Sequence, residues 1–141
     1  MKFISASEQQ TFALVKKFAK TLKGGEVIGL IGNLGAGKTI FTKGLAAGLG
    51  IKKRVNSPTF VLMKVYQVKS PSIKHLVHID AYRLKSAQDI IAIGATEYFN
   101  RPDTVTVIEW ADKIKKVLPL GTRLVKISCK SKSNSRTINI N

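Results

Sequence analysis

Apolar residues recur at helical spacing in one segment near the start of the chain: Phe12, Val15, Ala19 and Leu22. Ser7 and Gln10 have the spacing of a capping box at the start of this predicted helix, and glycines at 24 and 25 end it. Residues 26–31 form an apolar run bounded by glycines, which is typical of a strand buried on both faces. A second amphipathic repeat over 38–49 predicts a helix that stops at Gly50.

The rest of the chain alternates between strand and helix patterns. We predict strands over 59–68 and 74–80 around a turn at 70–72, and then a helix over 86–93. A strand over 105–110 and a short helix over 111–118, stopped by Pro119, follow. Strands over 123–128 and 137–140 form a hairpin with a polar loop over 130–136. This order predicts an α/β layer architecture. A length of 141 residues suits a single domain over 1–141.

The glycine-rich segment at 32–39 fits the phosphate-loop pattern G-x-x-x-x-G-K-[ST] at every fixed position. Its glycines let backbone N–H groups turn inward, and the positive end of the following helix favours a triphosphate tail. Lys38 is expected to reach the β and γ phosphates, and the Thr39 hydroxyl to be one ligand of Mg²⁺. An ordinary glycine-rich turn is the weaker interpretation, because the predicted strand and helix on either side support the motif.

Two acidic residues, Asp80 and Glu109, each end a predicted strand, where open α/β sheets bind their ligands. Isolated acids there are more often surface carboxylates or N-caps, but a phosphate loop needs an acid to hold its metal, so both remain candidates. The segment Ser57-Pro58-Thr59 lies where switch segments of P-loop hydrolases place a hydroxyl near the γ-phosphate. Because Pro and Ser also favour ordinary turns, that simpler interpretation stays open.

Two ring side chains stand next to or near these acids in the sequence. Trp110, the only tryptophan, is by default a core residue, with nucleotide stacking as the alternative. His78 is expected to pack in the core rather than to ligate a metal.

The chain carries 24 Lys and Arg against 8 Asp and Glu, a formal net charge of +16, which leaves direct tRNA contact as an alternative. The lysines are scattered without interleaved aromatic residues, which is equally typical of solvated faces. One cysteine and two histidines exclude an internal disulfide and a zinc site. No apolar run can span a membrane and no signal-peptide pattern is present, so we expect a cytoplasmic protein without membrane contact.

Five segments form a specific set when they are taken in order: residues 32–39, Asn56-Ser57-Pro58-Thr59-Phe60, His78-Ile79-Asp80-Ala81-Tyr82-Arg83-Leu84, residues 94–99, and Ile108-Glu109-Trp110 followed by Leu118-Pro119. With these segments the chain resembles the TsaE family, bacterial ATPases that take part in making threonylcarbamoyladenosine in tRNA. The resemblance implies a compact P-loop NTPase-like fold with a mixed central β-sheet flanked by helices, with ATP and Mg²⁺ as ligands. It also implies assembly with the TsaD and TsaB proteins, in which TsaD modifies the adenosine beside the anticodon and TsaE hydrolyses ATP to support repeated turnover.

The resemblance also implies roles by position. Lys38, Asp80 and Thr59 would be catalytic, with Asp80 near the γ-phosphate as a water-orienting acid or an indirect metal partner and Thr59 as a switch hydroxyl. Thr39 and Glu109 would hold Mg²⁺. The nucleotide-binding residues that it implies are Gly32, Gly35, Ala36, Gly37, Lys38, Thr39, Ile40, Asp80, Trp110 and Arg136, the last a weaker candidate for a phosphate or partner contact.

The chain departs from the family pattern in three places. Asn33 stands where Asp is usual and Ile40 where a second Thr is common, and neither supplies the phosphate-binding backbone or the metal hydroxyl. Residues 87–92 are less acidic than the family's usual helix, which bears on partner binding.

Other protein classes share the phosphate loop. A small-molecule kinase usually adds a lid that carries arginines, but this chain has five arginines, no two of them close in sequence. A GTPase typically has an Asn-Lys-x-Asp segment, which is absent from the sequence. An RNA-binding or scaffold protein that uses nucleotide only as a structural ligand is the non-enzyme alternative.

Overall fold

The computed structural model describes residues 1–33, 35–130 and 134–141. Its helices are α1 (Glu8–Ala19), α2 (Lys38–Gly48) and α3 (Ala87–Ala92), with 3-10 segments at Ala95–Glu97 and Ala111–Val117. Its strands are β1 (Lys2–Ser5), β2 (Val27–Ile31), β3 (Met63–Gln67), β4 (His75–Asp80), β5 (Thr104–Glu109), β6 (Arg123–Cys129) and β7 (Arg136–Ile140). No helix within the described residues is long and apolar enough to cross a membrane.

The seven strands form one mixed sheet in the order β1-β7-β6-β2-β5-β4-β3. β2 pairs in parallel with β5 and β6, and β4 pairs in parallel with β5, whereas β1, β3 and β7 run antiparallel to their neighbours. The expected α/β fold with a mixed central sheet is therefore confirmed. Because β2, β5 and β4 are parallel neighbours, their carboxyl ends lie side by side at one edge of the sheet.

Helices cover the sheet on both faces. One cluster of buried side chains includes Phe18 of α1 together with Phe41 and Leu45 of α2. A second cluster includes Ile90 of α3 and Ile114 of the second 3-10 segment. Side chains of a strand alternate between the two faces of the sheet, so the central strands have apolar contacts on both sides. This packing holds in place the edge of the sheet where the central strands end.

Helices α1 and α2 approach each other closely at two glycines of α2. A Cβ atom at Gly48 would lie 2.5 Å from the carbonyl oxygen of Lys16, and one at Gly44 would lie 2.9 Å from that of Phe12. Residues four apart share one helix face, so the two glycines let the helix backbones meet there. This packing positions α2, whose first two residues, Lys38 and Thr39, are the last two of the phosphate loop.

The start of the chain agrees with its predicted cap. Ser7 is the N-cap of α1, and its Oγ accepts a hydrogen bond of 3.1 Å from the Gln10 backbone N–H. The helix is shorter than the sequence predicts, since α1 ends at Ala19 and the apolar repeat continues to Leu22. Strand β1 was not predicted, because four residues with one buried side chain carry too little periodicity.

Three predicted boundaries differ from the structure. The strand predicted over 59–68 begins at Met63, because the preceding residues turn and Leu62 has a left-handed φ of 68°. The helix predicted over 111–118 is a 3-10 segment kinked at Ile114. Arg136 is the first residue of β7, paired with Cys129, rather than part of the hairpin loop. The rest of that predicted loop includes residues 131–133, which lie outside the described residues.

Candidate nucleotide-binding site

The phosphate loop joins the end of β2 to the start of α2, as the sequence predicts. Gly37 is the N-cap of α2 and has a left-handed φ of 109°, a backbone conformation that residues other than glycine rarely adopt. Gly35 also has a positive φ, of 79°. Leu34 lies outside the described residues. The loop therefore brings the backbone N–H groups at the start of an eleven-residue helix to the sheet edge.

Lys38 lies inside the curve of the loop. Its Nζ donates hydrogen bonds to the carbonyl oxygens of Gly32 at 2.6 Å and Asn33 at 2.8 Å. The same atom lies 4.0 Å from the ring centroid of Trp110, over the face of the indole. Only 5% of Lys38 is exposed. The ammonium group is thus held inside the loop by two of the loop's own carbonyl oxygens.

Burial shifts the proton equilibrium of this lysine. Removal from water disfavours the charged ammonium and holds the pKa of Lys38 below its usual value, against the opposing attraction of Glu109, Asp112 and Asp80. A strongly anionic ligand beside this ammonium would favour its charged form and offset the effect of burial.

Glu109 is the centre of a buried polar cluster at the end of β5. Its Oε2 accepts hydrogen bonds from Ser57 Oγ at 2.6 Å and from His78 Nε2 at 2.7 Å. Its Oε1 lies 3.3 Å from Thr39 Oγ1, and the Thr39 and Ser57 hydroxyls are 3.3 Å apart. The carboxylate thus links the first turn of α2 to the segment before β3 and to the core of β4.

These donors also determine the acidity of the glutamate. Burial alone would raise the pKa of Glu109, but the hydrogen bond and electrostatic attraction of His78, with the hydrogen bonds from Ser57 and Thr39, outweigh it and hold that pKa below its ordinary value. Glu109 is therefore a carboxylate at neutral pH.

Asp80 ends β4 directly opposite Glu109 in the strand register. Its Oδ1 accepts a hydrogen bond of 3.0 Å from the Tyr82 backbone N–H, and its Oδ2 lies 3.5 Å from Thr59 Oγ1. The structure thus brings the predicted acid and the predicted switch hydroxyl together at the same sheet edge. Asp80 stays apart from the Glu109 cluster, with partners of its own.

Two aromatic rings form one wall of the site. Trp110 has a left-handed backbone φ of 59°, uncommon for a bulky residue, and its ring packs against Tyr82 with centroids 5.0 Å apart. The tryptophan is partly buried, so it belongs both to the edge of the core and to the site.

Arg136 supports the loop from the side of β7. Its Nε donates to the Ala36 carbonyl oxygen at 3.1 Å, and its guanidinium lies 3.6 Å from the Glu8 carboxylate. A Cβ atom at Gly37 would lie 2.9 Å from Arg136 Nε, so the glycine also makes room for this arginine. The arginine is buried, and its phosphate role stays a prediction.

Together these residues line a cleft of about 400 Å³: Glu8, Gly35, Gly37, Lys38, Thr39, Ile40, Ser57, Thr59, Asp80, Tyr82, Glu109, Trp110 and Arg136. Of the predicted site residues, Gly32 and Ala36 do not line the cleft: the Gly32 carbonyl oxygen accepts from Lys38, and that of Ala36 accepts from Arg136 of β7. Sequence reasoning did not find that Ser57, Tyr82 and Glu8 line the cleft, and it gave His78 only a packing role. Ser57 and Tyr82 had a signal, because each lies two residues from a predicted site residue.

The donor set of the cleft fits Mg²⁺. The Thr39 and Ser57 hydroxyls and the Glu109 carboxylate each lie within 3.3 Å of the other two, and all are oxygen donors. Mg²⁺ prefers such ligands and usually takes one or two carboxylates, with the remaining positions filled by substrate phosphates and water. The described residues contain no group of three or more His, Cys, Asp or Glu side chains placed to hold a metal on their own.

Comparisons with known proteins agree with this geometry. Residues 5–138 match the sequence model of the family described as threonylcarbamoyl adenosine biosynthesis protein TsaE. The chain is 41% identical to the tRNA threonylcarbamoyladenosine biosynthesis protein TsaE of Bacillus subtilis, over 84% of this chain and 72% of that protein. It is 40% identical to the protein of that name from Treponema pallidum, over 90% of each.

A solved structure gives the same result for the fold. The crystal structure of Bacillus subtilis YdiB superposes with a TM-score of 0.81 and 34% sequence identity, over 99% of this chain and 83% of that one. The family match covers nearly the whole chain, with the phosphate loop, Asp80 and Glu109 inside it. The chain belongs to the TsaE family of threonylcarbamoyl adenosine biosynthesis proteins.

Proposed function

We propose that this protein is a Mg²⁺-dependent ATP hydrolase that supports threonylcarbamoyl modification of tRNA. The observation that carries the proposal is the pair formed by Thr39 Oγ1 and Glu109 Oε1, 3.3 Å apart. The first belongs to the phosphate loop's helix and the second to the end of the neighbouring parallel strand. A P-loop hydrolase uses this combination to hold the metal that accompanies its triphosphate.

The start of α2 and Lys38 would bind the phosphates. Backbone N–H groups at a helix N-terminus attract anions, and the Lys38 ammonium can exchange its bonds to Gly32 and Asn33 for phosphate oxygens. Thr39, Ser57 and Glu109 would hold the metal. Bound Mg²⁺ would neutralise negative charge on the β and γ phosphate oxygens as the γ-phosphoryl group leaves.

Asp80 would orient the attacking water. Its carboxylate lies in the cleft and is itself oriented by the Tyr82 N–H, with Thr59 at 3.5 Å. In hydrolysis the water oxygen bonds to the γ phosphorus, and the bond from that phosphorus to the β–γ bridging oxygen breaks. The water proton passes to the Asp80 carboxylate. Thr59 is the proposed switch hydroxyl beside this water.

The aromatic wall supports binding of a purine nucleotide. Trp110 and Tyr82 line the same cleft as the phosphate loop, and aromatic rings stack well on bases. ATP is the proposed substrate because the sequence lacks the Asn-Lys-x-Asp segment that GTPases use to recognise guanine.

The test is phosphate release by the purified chain, measured with ATP and with GTP, in Mg²⁺ and in EDTA. We expect hydrolysis that requires Mg²⁺ and prefers ATP, with a steep loss in Lys38→Ala. Glu109→Ala should weaken the Mg²⁺ dependence far more than Asp112→Ala, a nearby exposed acid. Binding of ATP without phosphate release under any condition would refute the hydrolase and favour a nucleotide-regulated scaffold. Phosphorylation of an added acceptor would indicate a kinase.

The proposed partners are the TsaD and TsaB proteins, on the strength of family membership. We expect ATP consumption and tRNA modification to rise together when this chain is added to those two proteins. Lys38→Ala should abolish both effects at equal protein concentration. Modification that continues over many turnovers without this chain would contradict the supporting role.

A further inference from the structure

We propose that His78 is a positioning residue, which holds the Glu109 carboxylate in the orientation that presents Oε1 to the metal. This inference rests on the proposed function, because it concerns the metal site of the same cleft. His78 lies behind Glu109 at zero exposure, so it acts through the glutamate rather than on the substrate. The sequence alone had indicated only a packing role.

The two oxygens of Glu109 have unequal partners. Oε2 accepts short hydrogen bonds from both His78 Nε2, at 2.7 Å, and Ser57 Oγ, at 2.6 Å. Oε1 has the longer contact of 3.3 Å to Thr39 Oγ1. Two strong donors on one oxygen fix the plane of the carboxylate and leave the other oxygen facing the phosphate loop. A ligating carboxylate with such partners loses less conformational freedom when it binds a metal.

The strand register explains how His78 reaches Glu109. In the β4–β5 pair His78 stands opposite Val107, and Glu109 lies two residues further along β5 on the same face. Diagonal neighbours of this kind lie within reach of a long side chain and a ring. Asp80, two residues after His78, stands opposite Glu109 itself. One face at the edge of the sheet therefore carries the histidine, the metal-binding acid and the water-orienting acid.

The chemistry of Glu109 determines which ring nitrogen of His78 is the donor. An ionised carboxylate can only accept, so the proton shared between the two side chains belongs to Nε2. His78 therefore donates to Glu109 through Nε2, and Nδ1, on the other side of the ring, is buried without a hydrogen-bond partner among the described residues.

The experiment compares His78→Leu with His78→Gln. Leucine fills space without a donor, whereas the glutamine amide places an N–H group near the position of Nε2. The readout is Mg²⁺ affinity of the protein–ADP complex by calorimetry, with ADP affinity in EDTA measured separately. We expect Mg²⁺ affinity to fall about 10- to 100-fold in His78→Leu and to be largely restored in His78→Gln. ADP affinity in EDTA should be unchanged in both.

His75→Leu is the matched control, because His75 lies at the other end of β4, away from the cleft. Unchanged Mg²⁺ affinity in folded His78→Leu would overturn the positioning role. If His78→Leu does not fold, His78→Asn replaces it, since its shorter amide falls short of Oε2; equal affinities in the Asn and Gln variants would then overturn the role. Wild-type protein that binds no Mg²⁺ with nucleotide would instead refute the proposed function.

A second measurement needs no metal. In protein with ¹⁵N-labelled histidine, Nε2 of His78 should carry a proton that exchanges slowly because the ring is buried. Glu109→Gln should shift this proton, whereas Glu97→Gln, at an exposed acid, should not. An Nε2 that carries no proton would overturn the proposal.

Discussion

Asp80 and Glu109 stand directly opposite each other at the carboxyl ends of two neighbouring parallel strands, yet they share no hydrogen-bond partner among the described residues. Glu109 is bound to Ser57, Thr39 and His78, whereas Asp80 is bound to the Tyr82 backbone with Thr59 beside it. The separate partners support the proposed division of roles, in which Glu109 would hold the metal and Asp80 would orient the water.

Replacing Asp80 tests this division. In Asp80→Asn the amide keeps the shape of the side chain but is a poor acceptor for the water proton. We expect the turnover number for ATP hydrolysis to fall on the order of 100-fold or more, with nucleotide and Mg²⁺ affinities nearly unchanged. Initial rates and calorimetry provide the two measurements. Asp103→Asn, outside the cleft, is the control; a large loss of Mg²⁺ affinity in Asp80→Asn would place the metal on Asp80 instead.

Stability should depend on pH through Glu109. Its donors lower its native pKa below the ordinary value of 4.5. Above that value the carboxylate is ionised in both states, so its contribution to stability is complete. As the pH falls below it, the unfolded chain binds the proton first and the contribution is lost.

The comparison is made by urea unfolding of wild type and Glu109→Gln. The difference between their free energies of unfolding should be larger at pH 7 than at about pH 3.5. Glu97→Gln, at an exposed position, should show no such pH-dependent difference. A difference that grows as the pH falls would contradict the direction of the shift.

Arg136 should stabilise both the fold and the phosphate loop. Arg136→Lys removes the guanidinium that bonds the Ala36 carbonyl oxygen and faces Glu8. We expect the free energy of unfolding to fall by about 2 kcal/mol and ADP to bind several-fold more weakly. Chemical denaturation and calorimetry measure the two effects. Arg123→Lys, at a more exposed arginine of β6, should change neither quantity. Full ADP affinity in Arg136→Lys would show that Arg136 does not support nucleotide binding by the loop.

Gly48→Ala should destabilise the helix pair without touching the cleft. The added methyl group would lie 2.5 Å from the Lys16 carbonyl oxygen, closer than atoms can approach, so α1 and α2 must separate. Overpacking of this kind costs about 1–3 kcal/mol. Thermal unfolding measures the loss. Ala47→Ser adds one heavy atom at the neighbouring, partly exposed position and should cost far less.

The sequence predicted the parts of the site that depend on local order. The phosphate loop needs only residues 32–39 and the elements beside them, so its position between β2 and α2 was correct. Asp80 and Glu109 were found because each ends an apolar run. Both inferences use spacing along the chain and no knowledge of which strands are neighbours.

The contacts that depend on strand order were not predictable in this way. His78 bonds Glu109 because β4 lies beside β5 in a particular register, and no spacing in the sequence fixes that register. Arg136 reaches Ala36 across 100 residues of chain. The left-handed backbone of Trp110, which turns its ring toward Lys38, has no sequence signal, because tryptophan rarely adopts it.

The placement of β7 has a consequence for biosynthesis. This strand lies between β1 and β6, and its first residue braces the phosphate loop made a hundred residues earlier. During synthesis, α1, α2 and strands β1 to β6 therefore leave the ribosome before β7 does. The pairing of β7 with β1 and β6, and the bond from Arg136 to the loop, can form only afterwards. The proposed nucleotide site should therefore be complete only after β7 has emerged from the ribosome and paired with β1 and β6.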